Sequence, residues 1–228
     1  MVLEKTASEL KLEKRLKELS PIITKQDLPS VIEKHEFKKG LIETEKGLMV
    51  PAYVASQLGF SFPGKYFLDN YFHPKLIELN IFPLCPFTAC AEYLNFSIIN
   101  NDNRTVKKHK QFWDYFNKDI VGPVNYTVLM PRTQMLIAIF DGGHTVDDGV
   151  SEEVGVYAKA FHTKPIIGIR SDIRLAENMA ASINPAVRFH VDIGKTNGSF
   201  FEGTAAYDNA FKCLGELSEK IMKECKNK

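Results

Sequence analysis

The segment DGGHTVDDGVSEEVG (141–155) gathers five carboxylates, Asp141, Asp147, Asp148, Glu152 and Glu153, directly after the apolar run MLIAIF (135–140). Packing supplies no reason to concentrate negative charge at the end of a buried strand. A divalent cation would take oxygen ligands from Asp141, Asp147 and Asp148, but the spacing lacks the alternate ligand positions of an EF-hand, and no motif requires a Mg²⁺ ion. Serine chemistry is poorly served, because Ser151 has no G-x-S-x-G elbow around it. Carboxylate chemistry fits better. Glu152 and Glu153 fall in the first turns of the helix expected after MLIAIF, where the positive end of the helix dipole favours the ionised form. A glutamate kept ionised at a pocket mouth can act as a nucleophile. Helical neighbours point about 100° apart, so one of the two faces the pocket. Periodicity leaves that choice open. Capping and solvation of a helix N-terminus account for Asp148 and Glu152, and less well for the whole cluster.

A second loop, ASQLGFSFPG (55–64), is rich in Gly and Ser. It lacks G-x-x-x-x-G-K-[ST] and G-x-G-x-x-G, so no triphosphate or dinucleotide cradle is indicated. His144 reads as a loop residue. His73, His162 and His190 lie inside predicted elements and read as packed or surface side chains.

These loops need a frame. LMVPAYVAS (48–56), IFPLCPF (81–87), MLIAIF and KPIIGIRSD (164–172) read as strands, RFHVDI (188–193) as a short strand, and TNGSFF (196–201) as a turn into an edge strand. Between them, 63–80 has helical periodicity, with Pro74 as a kink point. Residues 110–120, 148–163, 175–183 and 205–224 also read as helices, and NNDN (100–103) as a turn. Strands apolar on both faces that alternate with helices predict a doubly wound α/β fold. Its parallel sheet has about five strands and helices on both sides. Ligands in such sheets sit beyond the carboxyl ends of the strands, at a topological switch point. Both loops lie there.

Residues 1–47 have a different, Lys/Glu-rich texture. Leu10, Leu12, Leu16 and Leu19 suggest one helix, ended by Ser20-Pro21, and 27–37 a second, with Asp27 as cap and Pro29 in its first turn. The expectation is a helical extension over 1–47 on an α/β domain over 48–228. The chain has 228 residues, 44% apolar composition and a formal net charge of +1. That balance gives no strong field toward nucleic acid polymers or membranes, and VKKHK (106–110) reads as a solvated loop. Cys85, Cys90, Cys213 and Cys225 do not read as a disulfide framework or a zinc site. Without an apolar leader or a run of about 20 apolar residues, the expectation is a cytoplasmic protein.

Two blocks resemble the nucleoside 2-deoxyribosyltransferase family. The first is AYVASQLGFSFPGKYFLDNYFHPKLIELNIFPLCPF (52–87), similar to that family's first strand, substrate loop, helix and second strand. The second, more specific, is MLIAIFDGGHTVDDGVSEEVGVYAKAFHTKPIIGIRSD (135–172). Its pattern is an apolar strand, Asp-Gly, a further Asp, Gly, Glu-hydrophobic-Gly, and a Lys-Pro-led strand ending in Arg-x-Asp. A weaker third match is SIN (182–184). The resemblance implies that Glu153, before Val154-Gly155, is the nucleophile, which periodicity had not decided. It implies that Asp147 binds the base and that Tyr53 orients the glutamate. It also implies that Asn184 is lent to a neighbouring subunit's site in a homo-oligomer, and that Asn125 is a further polar contact. Ser56 and Asp141 are candidate substrate contacts. Phe60 and Phe62 are candidates to stack on a base, with ordinary core packing as the alternative. The 1–47 segment, the long 88–118 region and one extra residue in DGGHTVD depart from the family pattern and bear on substrate choice.

The implied activity is transfer of a 2-deoxyribosyl group between nucleobases through a covalent glutamyl intermediate. Its substrates are 2′-deoxynucleosides and free bases, and it needs no metal or organic cofactor. The logic is that of a retaining glycosidase. One alternative is a 2′-deoxynucleoside 5′-monophosphate N-glycosidase, which needs phosphate donors at Ser56, Ser61 or Lys65. The other is a non-catalytic nucleotide-binding module.

Overall fold

The structure is a computed structural model that describes residues 5–19, 23–94, 113–143, 146–172, 183–192 and 198–227. The expected turn at 100–103, the basic cluster at 106–110, His144 and nearly all of the expected helix at 175–183 lie outside the described residues.

In chain order, α1 (Ala7–Glu18) and α2 (Ser30–Glu33) precede β1 (Glu36–Lys38), β2 (Leu41–Thr44) and β3 (Gly47–Ser56). Helix α3 (Phe62–Phe67) continues through a π-turn (Leu68–Phe72) into α4 (His73–Glu78), followed by β4 (Ile81–Leu84) and α5 (Pro86–Ala91). Two π-helical turns (Phe116–Val121 and Val124–Leu129) lead into α6 (Met130–Arg132) and β5 (Met135–Ile139). Then come α7 (Asp148–Ala160), β6 (Ile166–Arg170), α8 (Pro185–Asp192), β7 (Ser199–Glu202) and α9 (Ala206–Lys226).

The chain forms two compact units. The first comprises Met1–Phe37 and Leu84–Arg132. Its α1 begins with a capping box in which Thr6 and Glu9 satisfy each other's backbone N–H groups. Leu12, Leu16 and Leu19 are buried as their spacing suggests, while Leu10 is exposed. Glu9 is buried and ion-paired with Arg132, and Arg15 bridges Asp119 at 3.1 Å and Glu18 at 2.9 Å. The expected helix over 27–37 is only one turn, capped at Pro29 rather than Asp27.

The second unit comprises Lys38–Pro83 and Thr133–Lys228. Its strands β5 and β6 are buried throughout, the signature of parallel strands covered on both faces. Tyr53 lies opposite Leu136 in the parallel β3–β5 pair, Leu136 opposite Ile166 in β5–β6, and Ile167 opposite Ser199 in β6–β7. With β4 on β3, the run β4-β3-β5-β6-β7 has the doubly wound order 2-1-3-4-5, with its switch point between β3 and β5. One face buries Val50, Ala52, Val54 and Ile137 with Leu68, Phe72 and Leu76 of the α3–α4 stretch and Ala210, Phe211 and Leu214 of α9. Helix α7 packs on β3 and β5, and α8 on β6 and β7.

Two expectations are corrected. Among the described residues the sheet has seven strands rather than about five. The excess is β1 and β2, which lie within the 1–47 stretch expected to be a helical extension. Thr44 opposite Gly47 closes an antiparallel hairpin onto β3, with Gly47 at φ 103°. Residues 188–193 read as a strand, yet Pro185–Asp192 is helical. Asn184 Oδ1 accepts the Ala186 N–H at 2.9 Å, and Asn-Pro is a helix-start signal. At Pro74, the expected kink point, a π-turn stands in front of the proline. Proline has no N–H for the carbonyl four residues back, so the hydrogen-bond register widens there.

Candidate active site

Two loops meet at the carboxyl edge of the second unit's sheet. Strand β3 ends at Ser56, which is 7% exposed and whose Oγ accepts the Leu58 N–H at 3.1 Å. Strand β5 hands over to Asp141 and Gly142. Gly142 has φ 111°, and a side chain there would meet Leu58 at 3.0 Å and Gln57 at 3.2 Å. Glycine at that point lets the loop after β5 touch the loop after β3, directly over the switch point.

The loop after β5 ends at Asp147, the N-cap of α7, whose Oδ1 accepts the Val150 N–H at 3.0 Å. The capping expected of Asp148 belongs to Asp147, and Asp148 is an exposed first-turn acid. Val150, Val154 and Tyr157 form the buried stripe of α7. Glu152 points to solvent, while Glu153 is partly buried. The Tyr53 hydroxyl, on a ring with no exposed surface, donates to Glu153 Oε1 at 2.5 Å. That is the length of a charge-assisted O–H···O⁻ bond. The choice periodicity left open is thus made by the α7–β3 packing, which turns one glutamate onto the sheet's tyrosine.

Asp141 is 7% exposed and accepts four hydrogen bonds. Oδ1 takes the Ser171 and Asp172 N–H groups at 2.8 and 2.9 Å. Oδ2 takes the Ser171 and Tyr207 hydroxyls at 2.8 and 2.9 Å. Burial, and next the Asp141 charge, hold the Tyr207 hydroxyl well above the ordinary tyrosine range. Tyr207 was not singled out from sequence, because its helical position carries no motif. Ser171 lay within the Arg-x-Asp ending of KPIIGIRSD.

Phe60 and Phe62 are 78% and 84% exposed, so core packing does not occupy them. Asn184 is exposed at the start of α8. Asn125 is buried in the first unit, where its Oδ1 accepts from Cys90 Sγ at 3.8 Å. The three possible phosphate donors already have partners. Ser56 accepts from Leu58, Ser61 caps α3 by accepting the Gly64 N–H at 3.2 Å, and Lys65 is ion-paired with Asp69. The four cysteines are free thiols. Among the described residues no cluster of three or more His, Cys, Asp or Glu side chains is arranged to hold a metal ion. No described helix is long and apolar enough to cross a membrane.

No protein-family profile matches the sequence, and no curated protein does. Solved structures similar in shape include these two. A conserved protein from Enterococcus faecalis V583 is 19% identical, with 72% of this chain and 98% of that one covered, at a TM-score of 0.43. A 2-desoxiribosyltransferase from Leishmania mexicana is 14% identical, with 73% and 97% covered, at a TM-score of 0.40. The doubly wound assignment rests on the strand order and register given above.

Proposed function

We propose that this chain is an enzyme that cleaves and re-forms an N-glycosidic bond, with a glutamate as nucleophile. The particular activity we propose is nucleoside 2-deoxyribosyl transfer. One observation carries the reading. The resemblance pairs Tyr53 with Glu153, two residues 100 positions apart, and the Tyr53 hydroxyl donates to the Glu153 carboxylate at 2.5 Å.

In the proposed reaction a Glu153 carboxylate oxygen attacks C1′ of a 2′-deoxynucleoside. The C1′–N bond breaks, and its electron pair leaves with the base. The departing base needs a proton or hydrogen bonds to stabilise its charge. Asp147 is the candidate: its Oδ1 is engaged by the Val150 N–H, and a proton carried on Oδ2 would pass to the departing base. A nitrogen of the incoming base then attacks C1′ from the opposite side and gives up its proton to Asp147, which restores the starting state. The ester C–O bond breaks and Glu153 regains its charge, as in a retaining double displacement. Tyr53 contributes by holding the attacking oxygen in one orientation.

A homo-oligomer in which Asn184 reaches a neighbouring site, a cytoplasmic location, and a contribution of Asn125 belong to the same proposal. The test incubates the protein with deoxyinosine and adenine, then with a deoxynucleoside monophosphate alone. Deoxyadenosine formation is the expected result. Deoxyribose 5-phosphate would indicate the hydrolase instead, and no base release from either would indicate a binding module. Glu153→Ala abolishes exchange and Glu152→Ala keeps most of it; equal loss in both removes the assignment.

A further inference from the structure

We propose that Asp141 is a positioning residue, a buried clamp that fixes both loops of the site, rather than a ligand of the substrate. This rests on the reading above for where substrate lies, though not for the clamp itself. A carboxylate offers about four acceptor positions. The Ser171 N–H, Asp172 N–H, Ser171 hydroxyl and Tyr207 hydroxyl occupy them at 2.8 to 2.9 Å. With 7% of the residue exposed, nothing remains to offer an incoming molecule.

The four donors come from two places far apart in the chain. Ser171 and Asp172 follow β6, and Tyr207 lies in the first turn of α9. The Tyr207 ring stands edge-on to Phe67 at 5.2 Å and to Phe72 at 6.0 Å. It therefore reaches the helical stretch that follows the loop after β3. On the other side of the clamp, the next residue is Gly142, which rests on Leu58 and Gln57 of that same loop. One carboxylate thus ties the start of the Asp147 loop to the end of β6, to α9 and, through Tyr207, to the helical stretch that follows the first loop. Ionisation strengthens each bond, since hydrogen bonds to a carboxylate are roughly twice as strong as neutral ones. Glu153 is held separately, by Tyr53. Loss of the clamp should therefore loosen the base-binding loop and leave the nucleophile aligned.

The experiment compares Asp141→Ala, Asp141→Asn and Tyr207→Phe in the full chain. Each is assayed for deoxyinosine–adenine exchange and for amide hydrogen exchange over 142–147. In Asp141→Ala the KM for deoxyinosine rises about tenfold or more and kcat falls less, and the 142–147 amides exchange faster. Asp141→Asn keeps the two backbone bonds to Oδ1 and recovers most of both losses, and Tyr207→Phe shows a smaller version of the same pattern. An unchanged KM and unchanged amide exchange in Asp141→Ala overturn the clamp. So does an Asn variant as impaired as the Ala variant with amide exchange at the wild-type rate, which would mark a direct role for the charge. If Asp141→Ala does not fold, Tyr207→Phe combined with Ser171→Ala removes both bonds to Oδ2 and is held to the same outcomes. If the wild-type protein exchanges no bases, the transferase reading fails, while amide exchange over 142–147 still decides the clamp.

Discussion

Tyr53→Phe removes the hydroxyl that donates to Glu153. The Tyr53 ring has no exposed surface, so phenylalanine fills the same space and leaves no cavity beyond the hydroxyl. What is lost is the donor to Glu153 Oε1 at 2.5 Å. Hydrogen bonds to charged groups contribute about 1.5–3 kcal/mol. If that energy holds the carboxylate in its attacking orientation, it converts to a loss of about 10- to 150-fold in kcat. The effect on stability should be smaller, because Glu153 is only partly buried and water can take over the vacated acceptor. The assay is the initial rate of deoxyadenosine formation from deoxyinosine and adenine, with intact-mass detection of the deoxyribosyl-enzyme. The reasoning predicts a slower build-up of that adduct and a KM close to wild type. A Tyr53→Phe enzyme within about threefold of wild-type kcat, alongside an inactive Glu153→Ala, would refute the orienting role.

Two further outcomes test the frame around the site. Asp147→Ala removes the N-cap of α7 and should lower stability by about 0.5–2 kcal/mol in urea unfolding; it should also raise the KM for the acceptor base, and an unchanged unfolding midpoint would show that the cap is not needed. His73 is partly buried, its Nε2 has no hydrogen-bond partner among the described residues, and desolvation lowers its folded pKa from the ordinary 6.5 to about 4. Between those values the unfolded chain binds a proton that the folded chain does not, so stability falls as pH drops from about 6.5 to 4, by about 3 kcal/mol at most, and is unaffected above pH 7. Urea midpoints from pH 7.5 to 4.5 should show that slope, and His73→Gln should flatten it; an identical slope in the variant would assign it to other groups.

Much of the frame was legible in the sequence. MLIAIF and the centre of KPIIGIRSD are apolar at every position because both faces of those strands are covered. Helix α7 starts at Asp148 and α9 ends within a few residues of expectation because their apolar stripes recur at helical spacing. Errors arose where local signals compete. The 36–47 hairpin carries helix-like charge but is set by turns at Lys39-Gly40 and Gly47, both with positive φ. RFHVDI alternates like a strand, yet Val191 is buried against Gly168 of β6 from a helix. Residues 1–37 differ in texture from everything after them, but they group with 84–132, and composition has no access to such long-range pairing.

The site divides the same way. The sequence by itself determined that carboxylates gather at the carboxyl end of an apolar strand, because strand length, turn chemistry and helix start are local properties. Only the tertiary structure decided where each carboxylate sits and what it bonds to. Parallel registration of β3 with β5 and packing of α7 across them bring Tyr53 onto Glu153 and leave Glu152 in water. Closure of β6 and α9 around Asp141 buries that carboxylate among four donors. Those assignments depend on contacts between residues 30 to 100 positions apart, and no local periodicity encodes them.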